Sequence, residues 1–182
     1  MQSKIVKGWR GIVISFVVTD YKTNELCDYR TTQLFNYNRS MSDFHFYHPV
    51  EVRYGDLDPQ GHVNNAKHLT YFEQARVAYM IELGLFTKDQ SFMEIGVILA
   101  DVHITYFEPI YFGQNIKVGV HVAKTGNKSM TWEQNIVDSE TGKELAKGEL
   151  VIVTYDYKTG KTIPIPQQWR QKISVFEASV VE

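Results

Sequence analysis

The sequence contains one long segment with helical periodicity, and strand-like alternation fills most of the patterned chain around it. Residues 65–83 carry apolar side chains at spacings of three and four, the period of one face of an α-helix. These positions are Leu69, Phe72, Ala75, Tyr79, Met80 and Leu83. Gly84 follows and is typical of a helix end. The pattern predicts a single helix of about five turns, capped at its start by Asn64 or Asn65.

Strand-like segments lie on both sides of this helix. They are residues 44–54, 97–108, 116–122, 130–136 and 144–157. In the first segment Phe46, Val50 and Tyr54 share one parity, which predicts that they face the core. Short connections between successive strands favour antiparallel neighbours, because a parallel crossover needs a dozen or more residues.

A lone helix among antiparallel strands limits the possible architectures. A sheet with one apolar face needs a cover, and only one long helix is available to provide it. The sequence therefore predicts an α+β fold, in which a curved antiparallel sheet of about five strands wraps round one long central helix. A short helix in residues 167–178 is predicted after the last strand.

Composition excludes several classes of protein. With 43% hydrophobic residues the chain can bury a core. Its formal net charge of -2 leaves no positive surplus for nucleic acid. The apolar run at residues 11–18 is too short to cross a membrane, and a short strand is a better interpretation than a targeting segment. The single cysteine, Cys27, favours a cytoplasmic location.

Residues 1–40 differ in pattern from the rest of the chain. Beyond the apolar run they show neither the sustained period of a strand nor that of a helix, whereas the stretches after Met41 show one or the other. We expect an N-terminal extension in residues 1–40 and one domain in residues 41–182, a common size for a domain.

The segment between the first strand and the helix concentrates polar side chains. It contains two carboxylates, an imidazole and two carboxamides: Asp56, Asp58, His62, Asn64 and Asn65. They precede a helix N-terminus, whose free N–H groups attract negative charge. A carboxylate beside backbone donors suits acyl transfer: the carboxylate attacks the carbonyl carbon or deprotonates a water, and the amides stabilise the oxyanion.

The sequence R-Y-G-D-L-D-P-Q-G-H-V-N-N-A, followed by Y-F-E-Q-A-R on the helix, resembles the hotdog-fold acyl-CoA thioesterases of the 4-hydroxybenzoyl-CoA thioesterase type. The similarity covers about residues 44–173. It implies hydrolysis of an acyl-CoA to the free acid and CoA, without a metal or organic cofactor. It also implies a homodimer or a dimer of dimers, with acyl-CoA bound at the subunit interface.

The same resemblance assigns roles to residues. The second acid of the D-x-D-P-x-G pattern, the catalytic carboxylate of the family, corresponds to Asp58, and the backbone amide that polarises the thioester carbonyl corresponds to Asn65. The chain departs from the pattern at His68, where many relatives with the H-V-N-N variant carry Tyr.

Each candidate residue also has a structural interpretation. Asp58 can cap the turn before Pro59, and Asp56 is expected to hold the loop through hydrogen bonds to backbone N–H groups. His62 can orient Asp58, contact the substrate or only pack. Asn64 can cap the helix as well as contact substrate, and a cap at Asn65 leaves its N–H free for the reaction.

Four helical side chains fit core or salt-bridge roles: Tyr71, Phe72, Glu73 and Arg76. Of these, Tyr71 and Glu73 are the candidates for substrate contact.

Three other functions are open at this point. A metal site could use Asp56, Asp58, His62 and His68 as ligands, but the two histidines are six residues apart and so do not share a helical face. A hotdog-fold hydratase and a non-catalytic acyl-CoA-binding module are the further alternatives.

Overall fold

The computed structural model describes residues 44–86 and 96–178, which form one antiparallel sheet and two helices. In chain order the elements are β1 (Phe46–Val50), a 3₁₀ turn (Tyr54–Asp56), α1 (Asn65–Glu82), β2 (Gly96–Tyr106), β3 (Ile116–Thr125), β4 (Ser129–Asp138), β5 (Glu144–Asp156), β6 (Lys161–Thr162) and α2 (Gln167–Ala178). The predicted α+β class is confirmed. The extension at residues 1–40 and most of the loop expected around residues 86–94 lie outside the described residues.

The order of the strands differs from the expectation that successive strands are neighbours. The sheet runs β1-β3-β4-β5-β2, with every pair antiparallel. β2 therefore pairs with β5, and β3 begins at the far side of the sheet next to β1. The connection in residues 107–115 is held by the loop before α1, since the Val63 N–H donates to the Ile110 carbonyl at 2.7 Å. A crossing connection takes the place of the expected hairpin.

The predicted central helix is confirmed almost to the residue. The Asn64 side chain accepts the Ala66 N–H at 2.9 Å and so caps α1. After Glu82 the chain leaves the helix, and Gly84 has a φ of +60°, a conformation that favours glycine. The predicted helix at residues 167–178 is α2, which buries Trp169 and Ile173 against the core.

α1 packs closely on the sheet. The Tyr79 ring meets the Trp132 ring edge to face, with 5.3 Å between centroids. Phe72 is fully buried, and a Cβ at Gly148 would lie 2.7 Å from its Cε2 atom. Only glycine permits this approach of helix and strand. Gln134, on the apolar face of β4, donates to the Phe72 carbonyl at 2.8 Å, which ties the helix backbone to the sheet.

The first strand is shorter than its apolar pattern predicts. β1 ends at Val50, and Tyr54 is 80% exposed instead of facing the core. The cause is local, because the Asp56 N–H donates to the Arg53 carbonyl at 2.9 Å and turns the chain away from the sheet. The short strand β6, which pairs with the end of β5, was not predicted.

Neither helix in the described parts of the chain has the length and apolar character needed to cross a membrane.

Candidate active site

The loop between β1 and α1 folds back on itself as a small hairpin. The Asp58 N–H donates to the His62 carbonyl at 2.9 Å, and the Gly61 N–H donates to the Asp58 carbonyl at 3.0 Å. Pro59 presets the backbone for the first corner of such a turn, and Gly61 takes a φ of +84° after it. The D-P-x-G sequence is therefore explained by the geometry of the turn that presents the Asp58 side chain.

The Asp58 carboxylate has two neighbours in this turn. Its Oδ1 accepts the Gln60 N–H at 2.9 Å, and its Oδ2 lies 3.3 Å from His62 Nδ1. The Asp58 side chain is 14% exposed and that of His62 is 38% exposed. Since an ionised carboxylate has about four lone-pair sites, Asp58 caps its turn and still has acceptor capacity for a water or a substrate.

Asp56, two residues earlier, lies in a very different environment. Its buried Oδ2 accepts the Arg53 N–H at 3.1 Å and the Tyr71 hydroxyl at 3.0 Å, and Lys67 Nζ lies 3.4 Å from Oδ1. Burial alone would raise the pKa of Asp56, but these hydrogen bonds and the Arg53 charge lower it below its usual value. The hydrogen bond to a backbone N–H expected of Asp56 is present.

The N-terminus of α1 offers a backbone donor. Because the Asn64 side chain takes the Ala66 N–H and the Asn64 carbonyl takes the Lys67 N–H, the cap does not use the Asn65 N–H. Within residues 44–86 and 96–178 the Asn65 N–H has no hydrogen-bond acceptor. The Tyr106 hydroxyl donates to the Asn65 carbonyl at 3.3 Å, which fixes this end of the helix against β2. Sequence reasoning did not identify this contact.

The predicted site residues on α1 do not all meet at Asp58. Tyr71 is buried, and its hydroxyl donates to Asp56; burial and this hydrogen bond raise its pKa. Glu73 is 70% exposed and lines a cavity beside the helix, 4.0 Å from Arg76 Nη2. The structure thus brings His62 to Asp58, places Asn64 and Asn65 at the start of the helix, and joins Tyr71 to Asp56.

His68 packs beneath the helix N-terminus. Its Nδ1 lies 3.3 Å from the Asn64 carbonyl, and its ring meets the Tyr106 ring edge to face at 4.8 Å. Burial lowers its pKa and keeps the imidazole neutral near pH 7. In the described parts of the chain, no group of three or more His, Cys, Asp or Glu side chains could hold a metal ion.

A second carboxylate–histidine pair lies where α2 meets the sheet. Glu177 accepts the Tyr79 hydroxyl at 2.6 Å and the Val122 N–H at 2.9 Å through Oε1, and its Oε2 lies 2.7 Å from His121 Nδ1. Burial would raise the pKa of Glu177, but these hydrogen bonds lower it. No sequence motif indicated this site, because its members come from separate elements.

Comparisons with known proteins agree with this geometry. Residues 52–173 match the Thioesterase-like superfamily. The long-chain acyl-CoA thioesterase FadM of Escherichia coli K12 is 27% identical, over 68% of this chain and 93% of FadM. The acyl-CoA thioester hydrolase YbgC of Escherichia coli O6:H1 is 24% identical, over 65% of this chain and 88% of YbgC.

The chain is also similar to solved structures of thioesterases. A thioesterase from Thermus thermophilus, complexed with coenzyme A and Zn, is 32% identical with a TM-score of 0.64, covering 75% of this chain and 98% of that protein. With the sequence match over residues 52–173 and the sheet-and-helix architecture, this chain belongs to the Thioesterase-like superfamily and has the hotdog fold.

Proposed function

We propose that this protein hydrolyses acyl-CoA thioesters, with the Asp58 carboxylate as the reacting group and the Asn65 N–H as the donor to the thioester carbonyl. The observation that carries the proposal is the helix cap: Asn64 engages the N–H groups of Ala66 and Lys67, so that the Asn65 N–H stays available on the same loop as Asp58.

The chemistry follows from where charge develops. When the thioester carbon is attacked, its oxygen becomes negative, and a backbone N–H at the positive end of an 18-residue helix stabilises that charge. Asp58 either attacks the carbon directly, giving an anhydride that water then hydrolyses, or removes a proton from an attacking water. In both routes the C–S bond breaks, CoA leaves as a thiolate, and a carboxylic acid is released.

His62 is a positioning residue in this proposal. Its Nδ1, 3.3 Å from Asp58 Oδ2, restricts the rotation of the carboxylate. Tyr71 acts one step further away by holding Asp56 and the base of the loop. Asn64 shapes the oxyanion site through the cap. Glu73 lies on the exposed side of the cavity beside α1 and is the candidate there for substrate contact.

A homodimer is part of the same proposal. The 11-residue strand β2 pairs with β5 along one edge, and among the described residues no strand pairs with its other edge. A long open edge favours pairing with another chain, and a second copy related by a twofold axis is the simplest partner. Light scattering should give twice the 21.1 kDa mass of one chain; a purely monomeric protein at micromolar concentration would contradict the dimer.

The remaining features are expectations from the sequence. The motif in residues 53–66 supports membership of the 4-hydroxybenzoyl-CoA thioesterase type within the superfamily, and the single cysteine supports a cytoplasmic location. Because the family match starts at residue 52, a chain that begins at Met41 should fold and be active. Insolubility of that shorter chain, with a sound full-length protein, would show that residues 1–40 are integral to the domain.

The proposed reaction can be tested with a panel of aliphatic and aromatic acyl-CoA substrates and a dye that reports free thiol. We expect release of CoA from at least one class, and loss of that release in Asp58→Asn. If no thioester is cleaved while acyl-CoA binds, the protein is a binding module; loss of an enoyl-CoA without thiol release would indicate a hydratase.

A further inference from the structure

A cavity of about 380 Å³ lies between one face of α1 and the strands β2 and β5. Most of its wall is apolar: Leu69, Val77 and Met80 from the helix, and Val97, Leu99 and Leu150 from the sheet. Successive helical members are separated by eight and three residues, so they share one side of α1. Such a wall suits the hydrocarbon part of an acyl group.

Arg76 is the one cation among the described residues of this wall. Its side chain is 7% exposed, and the nearest acid among the residues that the structure describes, the 70% exposed Glu73, lies 4.0 Å away, beyond hydrogen-bond distance. A guanidinium has five N–H donors, yet in the described ranges Arg76 makes no hydrogen bond. Burial lowers the pKa of Arg76, although the charge of Glu73 opposes this effect.

Among the described residues of the wall, the other polar side chains, which are Thr70, Glu73 and Tyr157, make no hydrogen bond to Arg76. Glu73 is largely in solvent, where water screens its charge. The Tyr157 hydroxyl is directed to the Val97 carbonyl at 3.4 Å. The Arg76 guanidinium therefore faces a cavity whose described wall is mostly apolar, and its planar set of donors matches a carboxylate.

From these observations we infer that the α1 cavity binds acyl groups that carry a carboxylate at their far end, and that Arg76 selects them over plain acyl groups. The inference rests on the proposed function, since it names the substrate class of that thioesterase. Arg76 follows Asn65 by eleven residues, about 16 Å along a helix. A chain that reaches from the Asn65 N–H to Arg76 must therefore be long, so dicarboxylic acyl-CoAs of medium length are the substrates expected.

Matched substrates test the inference. Octanoyl-CoA is compared with suberyl-CoA, and dodecanoyl-CoA with dodecanedioyl-CoA, so that each pair differs only in the terminal carboxylate. Loss of one partner of a buried charged pair costs at least about 2 kcal/mol. We therefore expect the wild type to favour the carboxylated member of a pair by about 30-fold or more in kcat/KM, and Arg76→Met to lose that preference.

Two variants keep the test decisive. Arg76→Lys retains the charge and should retain part of the preference, and it replaces Arg76→Met if the latter does not fold. Arg170→Met is the matched control, because Arg170 lies on α2 and bonds the Asn127 carbonyl at 2.7 Å, away from the cavity lining. For each substrate pair, the ratio of the two kcat/KM values in Arg170→Met should equal the ratio in the wild type.

Several results would overturn the inference. One such result is that the wild type has equal kcat/KM values for the two members of each substrate pair. If Arg76→Met lowers kcat/KM by the same factor for every acyl-CoA, Arg76 would be assigned to binding of the CoA phosphates. If the variant dissociates the dimer but keeps its selectivity, Arg76 would be assigned to a subunit contact.

Binding of thioether analogues, which cannot be hydrolysed, separates this inference from the proposed reaction. If the analogues show a carboxylate preference in binding but the corresponding thioesters are not hydrolysed, the result would support the role of Arg76 and contradict the proposed thioesterase activity.

Discussion

Among the described residues, two carboxylates, Asp58 and Glu177, lie beside histidines, and they differ in how fully the carboxylate is used. At the end of α2, Glu177 accepts hydrogen bonds from Tyr79 and Val122 and also contacts His121 at 2.7 Å. In the loop before α1, Asp58 has one backbone donor and a histidine at 3.3 Å. The histidines differ as well, since His62 is 38% exposed and His121 is 10% exposed.

This difference separates a structural carboxylate from a reactive one. The groups that hydrogen-bond to Glu177 are supplied by α1 and β3, and His45, just before β1, lies 3.9 Å from its Oε2, so its charge fastens α2 to the rest of the fold. The contacts of Asp58 come only from its own turn and leave acceptor capacity in a partly exposed position. Asp56 resembles Glu177 in this respect, although it is only two residues from Asp58.

The largest effect is expected from Asp58→Asn. The amide keeps the size of the side chain but lacks the negative charge that both proposed routes require. We expect kcat to fall by about 100-fold or more, while circular dichroism and the melting temperature show an intact fold. Steady-state kinetics with the best acyl-CoA of the panel measure this change.

Asp56→Asn is the matched control for that variant. Because Asp56 holds Arg53 and Tyr71, its loss should lower the free energy of unfolding by about 1–3 kcal/mol and change kcat less than Asp58→Asn does. If Asp56→Asn abolished turnover and Asp58→Asn did not, the reacting carboxylate would have to be Asp56.

Glu177→Gln should act on stability alone. The amide oxygen can still accept from Tyr79 and Val122, but the amide has no negative charge and its NH2 group cannot accept from His121. Hydrogen bonds to charged groups contribute roughly 1.5–3 kcal/mol. We expect the free energy of unfolding in urea to fall by about 2 kcal/mol. The kcat of the folded variant should match the wild type, and a selective loss of kcat would end the distinction between the two pairs.

The same site predicts how stability depends on pH. The folded-state pKa of Glu177 lies below its unfolded value of 4.5. Its contribution is therefore present above pH 4.5 and is lost as the pH falls through the folded pKa. Urea unfolding at a series of acidic pH values should show wild type and Glu177→Gln converging below pH 4.5. A constant gap between them at all pH values would contradict the assignment.

Features set by neighbouring residues could be predicted from the sequence. The period of α1, its end at Gly84 and the turn that Asp58 caps depend on a few adjacent side chains, and each agrees with the structure. Within the candidate site, the cap at Asn64 was also expected.

Features set by distant segments could not be predicted. β2 pairs with β5 because residues 107–115 cross past the site loop, which no local pattern encodes. The hydrogen-bond partners of Glu177 come from α1 and β3, so its role is visible only after folding. Tyr54 follows the strand parity in sequence, but the hydrogen bond between Asp56 and Arg53 turns it outward.

The smallest predicted effect concerns His62, and it tests the proposed positioning role directly. If His62 only restrains the Asp58 carboxylate through its Nδ1, then His62→Ala leaves the reacting group present but less often oriented. We expect kcat to fall by no more than about tenfold, which corresponds to about 1.4 kcal/mol. KM should change little, because binding of the acyl-CoA does not depend on this contact in the proposed mechanism.

His62→Asn separates orientation from simple packing. The Asn side chain places an amide donor near the position of Nδ1, 3.3 Å from Asp58 Oδ2, so it should recover most of the kcat lost in His62→Ala. A packing role predicts no such recovery, since Asn is smaller and more polar than the ring it replaces. A raised KM with unchanged kcat in both variants would instead show that His62 contacts the substrate, as its 38% exposure permits. Either of those results would remove the histidine from the orientation of Asp58, and the two carboxylate–histidine pairs would then share only their composition.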